Sequence, residues 1–406
     1  MVKSIIKFLK GRYHLMLSYL GRVLYMNPSK SIFVVGVTGT KGKTTVIEII
    51  NFILESAGFE TAISSSLRIK IKDQSGPNKQ NTMPGRLFLH KFLRKAVDAG
   101  ADFALLEVTS EGVAQHRHRN IHFNSAILTN LQPEHIESHG SFEKYREAKL
   151  KFFRDVARDE AKPDKVFIIN KDDPNYKYFS DAVLENKTTF YSKSNLESNM
   201  PGEFNKYNIG AAAAFLKEVG VDELKIEKGL KDFIGVSGRM ELVVEKPFKV
   251  IVDYAHTPDS LEAVYKTLSS EVKIRENKLV CVLGSAGGGR DKWKRPKMGE
   301  IAALYCKEII LTNEDPYDED PDKIINEIEA GILGSHKPNF ETNKNYWRFM
   351  DRREAIEKAM SLAKKNDIVI ITGKGSEPHI HLAHGATMEW SDKKVVMEVL
   401  KGRKSQ

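Results

Sequence analysis

Between residues 1 and 26 the chain sets Ile5, Ile6, Phe8, Leu9, Leu15, Met16 and Leu20 among Lys3, Lys7, Lys10, Arg12 and Arg22. That spacing predicts an amphipathic helix or a pair of short ones. Gly11, Arg12 and His14 break the apolar run and no small-residue cleavage site follows, so the segment does not read as a signal peptide. Two uses fit it: packing against the next domain, or docking on a membrane surface or a partner. Asn27-Pro28-Ser29 ends the pattern.

Downstream, short β-branched and aromatic runs alternate with helix-like stretches. Residues 31–37 read as a buried strand that enters a Gly-rich turn, and a helix is predicted from Lys43 to about Ser56. Further strands are expected at 103–108, 125–128 and 166–169. Strands alternating with helices imply an α/β domain built on a mostly parallel sheet covered on both faces. After Gly238-Arg239 the alternation restarts, with strands expected at 250–252, 279–283, 308–311 and 367–371. The expected organisation is an N-terminal helical segment (1–30), a first α/β domain (31–238) and a second, Rossmann-like one (239–406). No internal repeat or low-complexity tract is visible.

Composition narrows the class. The 406 residues are 41% apolar and 29% charged, ordinary for a soluble protein with full-sized cores. No stretch reaches the roughly 18 apolar residues of a membrane span. Cys281 and Cys306 are the only cysteines, which excludes a disulfide framework or a four-cysteine zinc site and fits a reducing cytoplasm. The formal charge of +9 is spread along the chain without a compact nucleic-acid motif. It leaves solvated basic faces or phosphate-rich substrates as its meaning, and nucleic acid is not expected.

The strongest local signal is Gly36-Val37-Thr38-Gly39-Thr40-Lys41-Gly42-Lys43-Thr44-Thr45. Glycines let backbone N–H groups approach phosphate oxygens, and the following helix turns its positive end to them. Lys43 is placed to neutralise the outer phosphates and the Thr44 hydroxyl to ligate Mg²⁺, although the strict P-loop pattern has Gly where Val37 stands. Glu107 falls at a strand end and His135 just after another, where α/β folds place ligand sites. Both are candidate metal ligands, since ATP chemistry needs Mg²⁺ between phosphates and reacting groups. His116, His118 and His122 match no standard zinc spacing.

These segments, with Glu107-Val108-Thr109-Ser110, residues 129–139 and Glu147-Ala148-Lys149, resemble the central domain of Mur ligases. Gly202-Glu203-Phe204-Asn205-Lys206-Tyr207-Asn208, Gly238-Arg239-Met240-Glu241, Asp253-Tyr254-Ala255-His256-Thr257-Pro258, residues 287–296 and 313–316, and Gly373-Lys374-Gly375-Ser376-Glu377 extend the resemblance in order. It covers about residues 31–395 and points to the branch that adds the third residue of the peptidoglycan stem peptide to UDP-MurNAc-L-Ala-D-Glu.

The resemblance implies an ATP-dependent ligase that turns a substrate carboxylate into an acyl phosphate for attack by an amine, a task of positioning and charge neutralisation. It assigns ATP and Mg²⁺ as cofactors, and a nucleotide-sugar peptide and an amino acid as substrates, in a cytoplasmic and monomeric enzyme. It places Gly39, Thr40, Lys41, Gly42, Lys43, Thr44, Thr45, Asn130, Arg239, Asp253 and His256 at the nucleotide. Thr44, Glu107, His135 and a carbamylated Lys149 are the implied metal ligands, and Lys43, Glu107, His135 and Lys149 the catalytic set. Asn81, Thr82, Thr109, Gln115 and Arg117 are matched to the acceptor, and Arg290, Asp315, Gly373 and Glu377 to the incoming amino acid.

Departures from the family pattern bear on specificity. The diaminopimelate-selecting Asp-Asn-Pro-Arg is Glu314-Asp315-Pro316-Tyr317, which removes the arginine and adds a carboxylate suited to a distal ammonium. Ser376 replaces a family histidine, as does Glu111. The usual N-terminal domain of about a hundred residues that helps bind uridine diphosphate is not expected, because only about 30 residues precede the first strand. A folylpolyglutamate-synthase-like ligase and a non-catalytic nucleotide-binding subunit are the alternatives.

Overall fold

The computed structural model describes residues 2–78, 81–85, 87–134, 139–274, 277–335 and 340–404, which form two compact units. The first comprises residues 1–199 and 204–234, the second residues 200–203 and 235–406.

The first unit opens with α1 (Val2–Leu24), one helix rather than two, and a short 3₁₀ turn. It continues through β1 (Phe33–Thr38), α2 (Lys43–Ser56), β2 (Thr61–Ser64), β3 (Arg68–Ile71), β4 (Gln74–Pro77), α3 (Phe88–Asp98) and β5 (Phe103–Glu107). Then come α4 (Ser110–Ala114), β6 (Ser125–Leu128), α5 (Phe142–Ala157), β7 (Val166–Asn170), α6 (Tyr176–Asp181), β8 (Lys187–Tyr191), α7 (Glu203–Glu218) and α8 (Glu223–Asp232). The sheet order is β4-β3-β2-β5-β1-β6-β7-β8, parallel from β2 to β8, with β3 and β4 antiparallel at one edge. Central strands such as Phe103–Glu107 and Val166–Asn170 are buried along their whole length, which is why they read as unbroken apolar runs. Register fixes the site: Val37 lies opposite Glu107, and Thr38 opposite Leu128. The turn after β1 therefore meets the carboxyl ends of both neighbouring strands.

Helix α5 covers this sheet. Its inward stripe is Tyr145, Lys149, Phe152 and Val156, all buried, so a lysine occupies a core position of an otherwise apolar face. Phe152 packs edge-to-face on Phe123 at 5.1 Å, within a core that includes Val34, Leu106 and Phe167.

The second unit runs β9 (Glu241–Val244), β10 (Lys249–Val252), α9 (Pro258–Ile274), β11 (Leu279–Leu283), α10 (Lys294–Tyr305), β12 (Glu308–Thr312) and α11 (Pro321–Leu333). It closes with β13 (Tyr346–Phe349), α12 (Arg352–Leu362), β14 (Ile368–Ile371), the hairpin β15 (His379–His381) and β16 (Thr387–Glu389), and α13 (Asp392–Lys404). Its sheet order is β13-β12-β11-β14-β10-β9, with only β9 antiparallel. Among the described residues, no helix is long and apolar enough to cross a membrane.

Candidate active site

The turn between β1 and α2 is built to leave donors open. Gly39 (φ +148°) passes so close to β6 that a Cβ would stand 1.9 Å from Thr129 Oγ1. Gly42 (φ +83°) caps α2 without a side-chain bond, and a Cβ there would meet Asn208 Oδ1 at 2.2 Å. The first N–H groups of α2 therefore remain available to an anion at its positive end.

Several residues expected at the nucleotide brace this turn. Asn130 accepts from Lys41 N at 2.9 Å and donates to Lys41 O at 3.1 Å. The Thr40 hydroxyl bonds Tyr145 Oη at 3.0 Å, and Lys41 Nζ pairs with Glu134 at 2.8 Å. Thr45 is buried in the first turn of α2.

Lys43 Nζ donates to the carbonyls of Gly39 (3.1 Å) and Thr40 (3.0 Å) and lies 3.8 Å from Glu107 Oε1. Three oxygens converge beside it. Thr44 Oγ1 is 3.1 Å from Glu107 Oε2 and 2.9 Å from Ser66 Oγ, and Ser66 N donates to the same carboxylate oxygen at 2.9 Å. A carboxylate and two hydroxyls are hard donors, the set that suits Mg²⁺. Ser66 was not foreseen. Its only sequence signal is its place at the end of a serine run, and the contact spans 22 positions of chain.

Lys149 points into the same place. It is 2% exposed, donates to Gly39 O at 2.8 Å and stands 4.8 Å from the centre of the Tyr145 ring. Burial, then the positive charge of Lys43, pushes its amine well below the usual lysine range, against the pull of Glu134 and Glu107. His135 lies outside the described residues. His118 and His122, part of the triplet that matches no zinc spacing, pair with Asp155 and Asp159, each at 2.7 Å.

The residues matched to the acceptor lie on and around α4 and in the segment before α3. Thr109 caps α4 by accepting from Gly112 N at 3.0 Å. Arg117 donates to Gln115 Oε1 at 2.6 Å and to the carbonyl of Met83, in the segment that carries Asn81 and Thr82. One face of the Arg117 guanidinium, at Nε, is buried without a hydrogen bond among the described residues.

In the second unit the centre is Lys374, a residue to which the sequence assigned no role. Its Nζ contacts both Asp315 oxygens (2.9 and 2.8 Å) and Glu377 Oε2 (2.7 Å). Tyr254 Oη donates to the other Glu377 oxygen at 2.9 Å, and Arg290 bonds Tyr317, whose ring stacks on His381 at 5.1 Å. Gly373 (φ +106°) passes the buried Glu314 so closely that a Cβ would stand 2.4 Å from its carboxylate. Asp315, the carboxylate expected to suit a distal ammonium, is paired with Lys374, which offsets its charge. Asp253 is likewise engaged, accepting from Met240 N (2.6 Å) and Ala255 N (2.7 Å). Arg239 lies over the Tyr254 ring at 4.0 Å, and His256 Nδ1 bonds Tyr254 O at 2.7 Å.

A Gly-rich turn at the centre of a parallel sheet, a carboxylate at the next strand end and a lysine in the covering helix define a nucleotide-dependent group-transfer domain. A Rossmann-like unit follows it. Residues 37–197 match the Mur ligase middle domain, and residues 238–375 match the Mur ligase glutamate ligase domain. The UDP-N-acetylmuramoyl-L-alanyl-D-glutamate–2,6-diaminopimelate ligase of Syntrophomonas wolfei is 36% identical over 95% of this chain and 82% of its own. The ligase of the same name from Halalkalibacterium halodurans is 34% identical over 93% and 80%. A solved structure of a ligase of that name superposes with a TM-score of 0.60 at 28% identity, covering 92% of this chain and 79% of its own. Mycobacterium tuberculosis folylpolyglutamate synthase, complexed with ADP and AMPPCP, gives 0.70 at 16% identity, covering 92% and 96%. The higher score at lower identity marks a shared fold alone. The chain belongs to the Mur ligase family and is an ATP-dependent, amide-bond-forming ligase.

Proposed function

We propose that this ligase adds an amino acid to the free carboxylate of UDP-N-acetylmuramoyl-L-alanyl-D-glutamate in the cytoplasm, acting as a monomer. What carries the acceptor is the 36% identity, along nearly the whole chain, to a ligase named for it. ATP transfers its γ-phosphoryl group to the acceptor carboxylate, and the amine then displaces phosphate through a tetrahedral intermediate, leaving amide, ADP and phosphate.

Each residue has a place in that sequence. Lys43 exchanges the Gly39 and Thr40 carbonyls for β- and γ-phosphate oxygens, while the open N–H groups of α2 hold the same anion. Thr44, Glu107 and Ser66 offer the oxygens that fit Mg²⁺, whose positive charge offsets that of the phosphates when bound. Burial pushes the Lys149 amine toward the neutral form, the one that reacts with carbon dioxide. Its amine nitrogen bonds the carbon and releases a proton, giving a carbamate that adds an anionic oxygen to the donor set. His135 remains the proposed second metal ligand. Arg117 and Gln115, with Asn81, Thr82 and Thr109, receive the acceptor. Arg290, Glu377, Gly373 and Asp315 surround the incoming amino acid, with Tyr317 where a family arginine would meet a distal carboxylate.

The test is phosphate release from ATP with the UDP-linked dipeptide, offering lysine, diaminopimelate, ornithine and glutamate separately. Release that requires both the acceptor and one diamino acid is the expected result and identifies the amino acid. Release without acceptor dependence, or none with any amino acid, would overturn the assignment.

A further inference from the structure

From Gly11 onward, helix α1 is packed inside out. Its inward line is mostly small and polar: Gly11, His14, Ser18 and Gly21, with the half-buried Leu17 beside them and Ser18 donating to the carbonyl of Arg119. A Cβ on Gly21 would stand 2.7 Å from His90 of α3, so the helix sits too close for larger side chains on this line. Most of the described apolar side chains face away. Tyr13, Met16, Tyr19, Leu20, Val23 and Leu24 are 41–60% exposed. A surface helix normally does the reverse, and a contiguous exposed apolar strip marks an interaction surface.

Charge selects what covers it. Residues 1–30 contain Lys3, Lys7, Lys10, Arg12, Arg22 and Lys30 and no Asp or Glu. A second copy of the chain would bring these like charges together, whereas an anionic lipid surface complements them. Tyr13 and Tyr19 are of the type that settles at headgroup depth. The helix is too polar to span a bilayer, which leaves an in-plane position. We propose that the outer face of α1 docks the protein on an anionic membrane surface. His14, Leu17 and Ser18 also line a small cavity with Pro84, Gly85 and Arg117 on the inner side of α1, so docking holds the acceptor side of the first unit about one helix diameter from the lipid. That consequence rests on the acceptor role proposed for Arg117, but docking itself does not.

Flotation of the full chain with phosphatidylcholine vesicles containing about one-third phosphatidylglycerol tests it. Binding is expected to fall on the order of tenfold when salt shortens the Debye length, and to fail on phosphatidylcholine alone. The Met16→Glu/Leu20→Glu/Val23→Glu variant is expected to lose binding by a similar factor and to keep its amino-acid-dependent phosphate release. Tyr19→Trp emission, quenched by brominated lipid only in anionic vesicles, gives a readout that does not depend on the triple variant folding. Equal binding to neutral vesicles, undiminished binding by the triple variant, or a concentration-dependent dimer that the variant dissolves would overturn the proposal. None of these readings depends on which substrate the ligase uses.

Discussion

Among the described residues, Lys149 in the first unit and Lys374 in the second are almost wholly buried, and their surroundings are opposite. Among the described residues Lys149 meets a carbonyl and an aromatic face, and its amine is driven toward the neutral form by burial and by Lys43. Lys374 is clamped by Asp315 and Glu377, whose charges hold its ammonium above the usual range despite burial. The same side chain is thus pushed toward the neutral amine in one place and toward the cation in the other. What differs is whether carboxylates stand within bonding distance to offset desolvation. A buried amine with no carboxylate within bonding distance is costly to keep charged, which makes Lys149 the better marker of chemistry.

Removing each lysine should separate the two roles. Lys149→Ala is expected to lower acceptor-dependent phosphate release on the order of a thousandfold, with little change in unfolding midpoint. Acetate or formate should restore part of the rate by supplying the missing carboxylate. Lys149→Arg keeps the positive charge but cannot form the carbamate, so it should be as inactive as the alanine variant. An active arginine variant would end the carbamate reading.

Lys374→Ala should act mainly on stability. It leaves Asp315 buried without its partner, a change that costs about 3–5 kcal/mol for a buried pair, and less here because Glu377 is partly exposed. Urea unfolding of the full chain measures it. Pairing the change with Asp315→Asn, which removes the stranded charge, should recover much of the loss. If the single variant unfolds like the parent and only the Michaelis constant for the amino acid changes, Lys374 belongs to binding and the contrast with Lys149 narrows.

How much of this was legible depended on whether the cause was local. Interior strands such as Ser125–Leu128 and Leu279–Leu283 announced themselves because both faces are buried. The edge strand Gln74–Pro77 is exposed throughout and has no apolar alternation to read. Lys43, Thr44 and Glu107 followed from the turn and a strand end, since a parallel sheet brings those places together whatever surrounds them. Ser66, Glu134 and Tyr145 did not, because they reach the turn from 22 or more positions away. The pairing of Asp315 with Lys374 was not legible either, because the two are 59 positions apart. In α1 the amphipathic pattern was visible, but not which face turns inward. The close approach of α3 decides that in favour of Gly21 and Ser18.

The smallest expected effect is a pair of opposed pH responses. In the first unit, burial holds His90 at a pKa of about 4, with His122 and Arg22 adding to the effect. Its unfolded form takes up a proton from about 6.5 downward, so this unit loses stability as pH falls through that window. In the second unit, burial raises Glu314 to about 7 against the pull of Lys374, Arg352 and Lys294. Between 4.5 and 7 the folded state keeps a proton that the unfolded state has released. Stability of this unit therefore falls as pH rises, by up to about 3 kcal/mol. All three tryptophans, Trp293, Trp347 and Trp390, lie in the second unit, so their fluorescence in urea reports that unit alone while far-ultraviolet dichroism reports both. The tryptophan midpoint should drop with rising pH in the parent and stay level in Glu314→Gln, which keeps the shape but cannot ionise. A tryptophan midpoint that falls alike in both proteins would assign the slope to some other group and leave Glu314 an ordinary carboxylate.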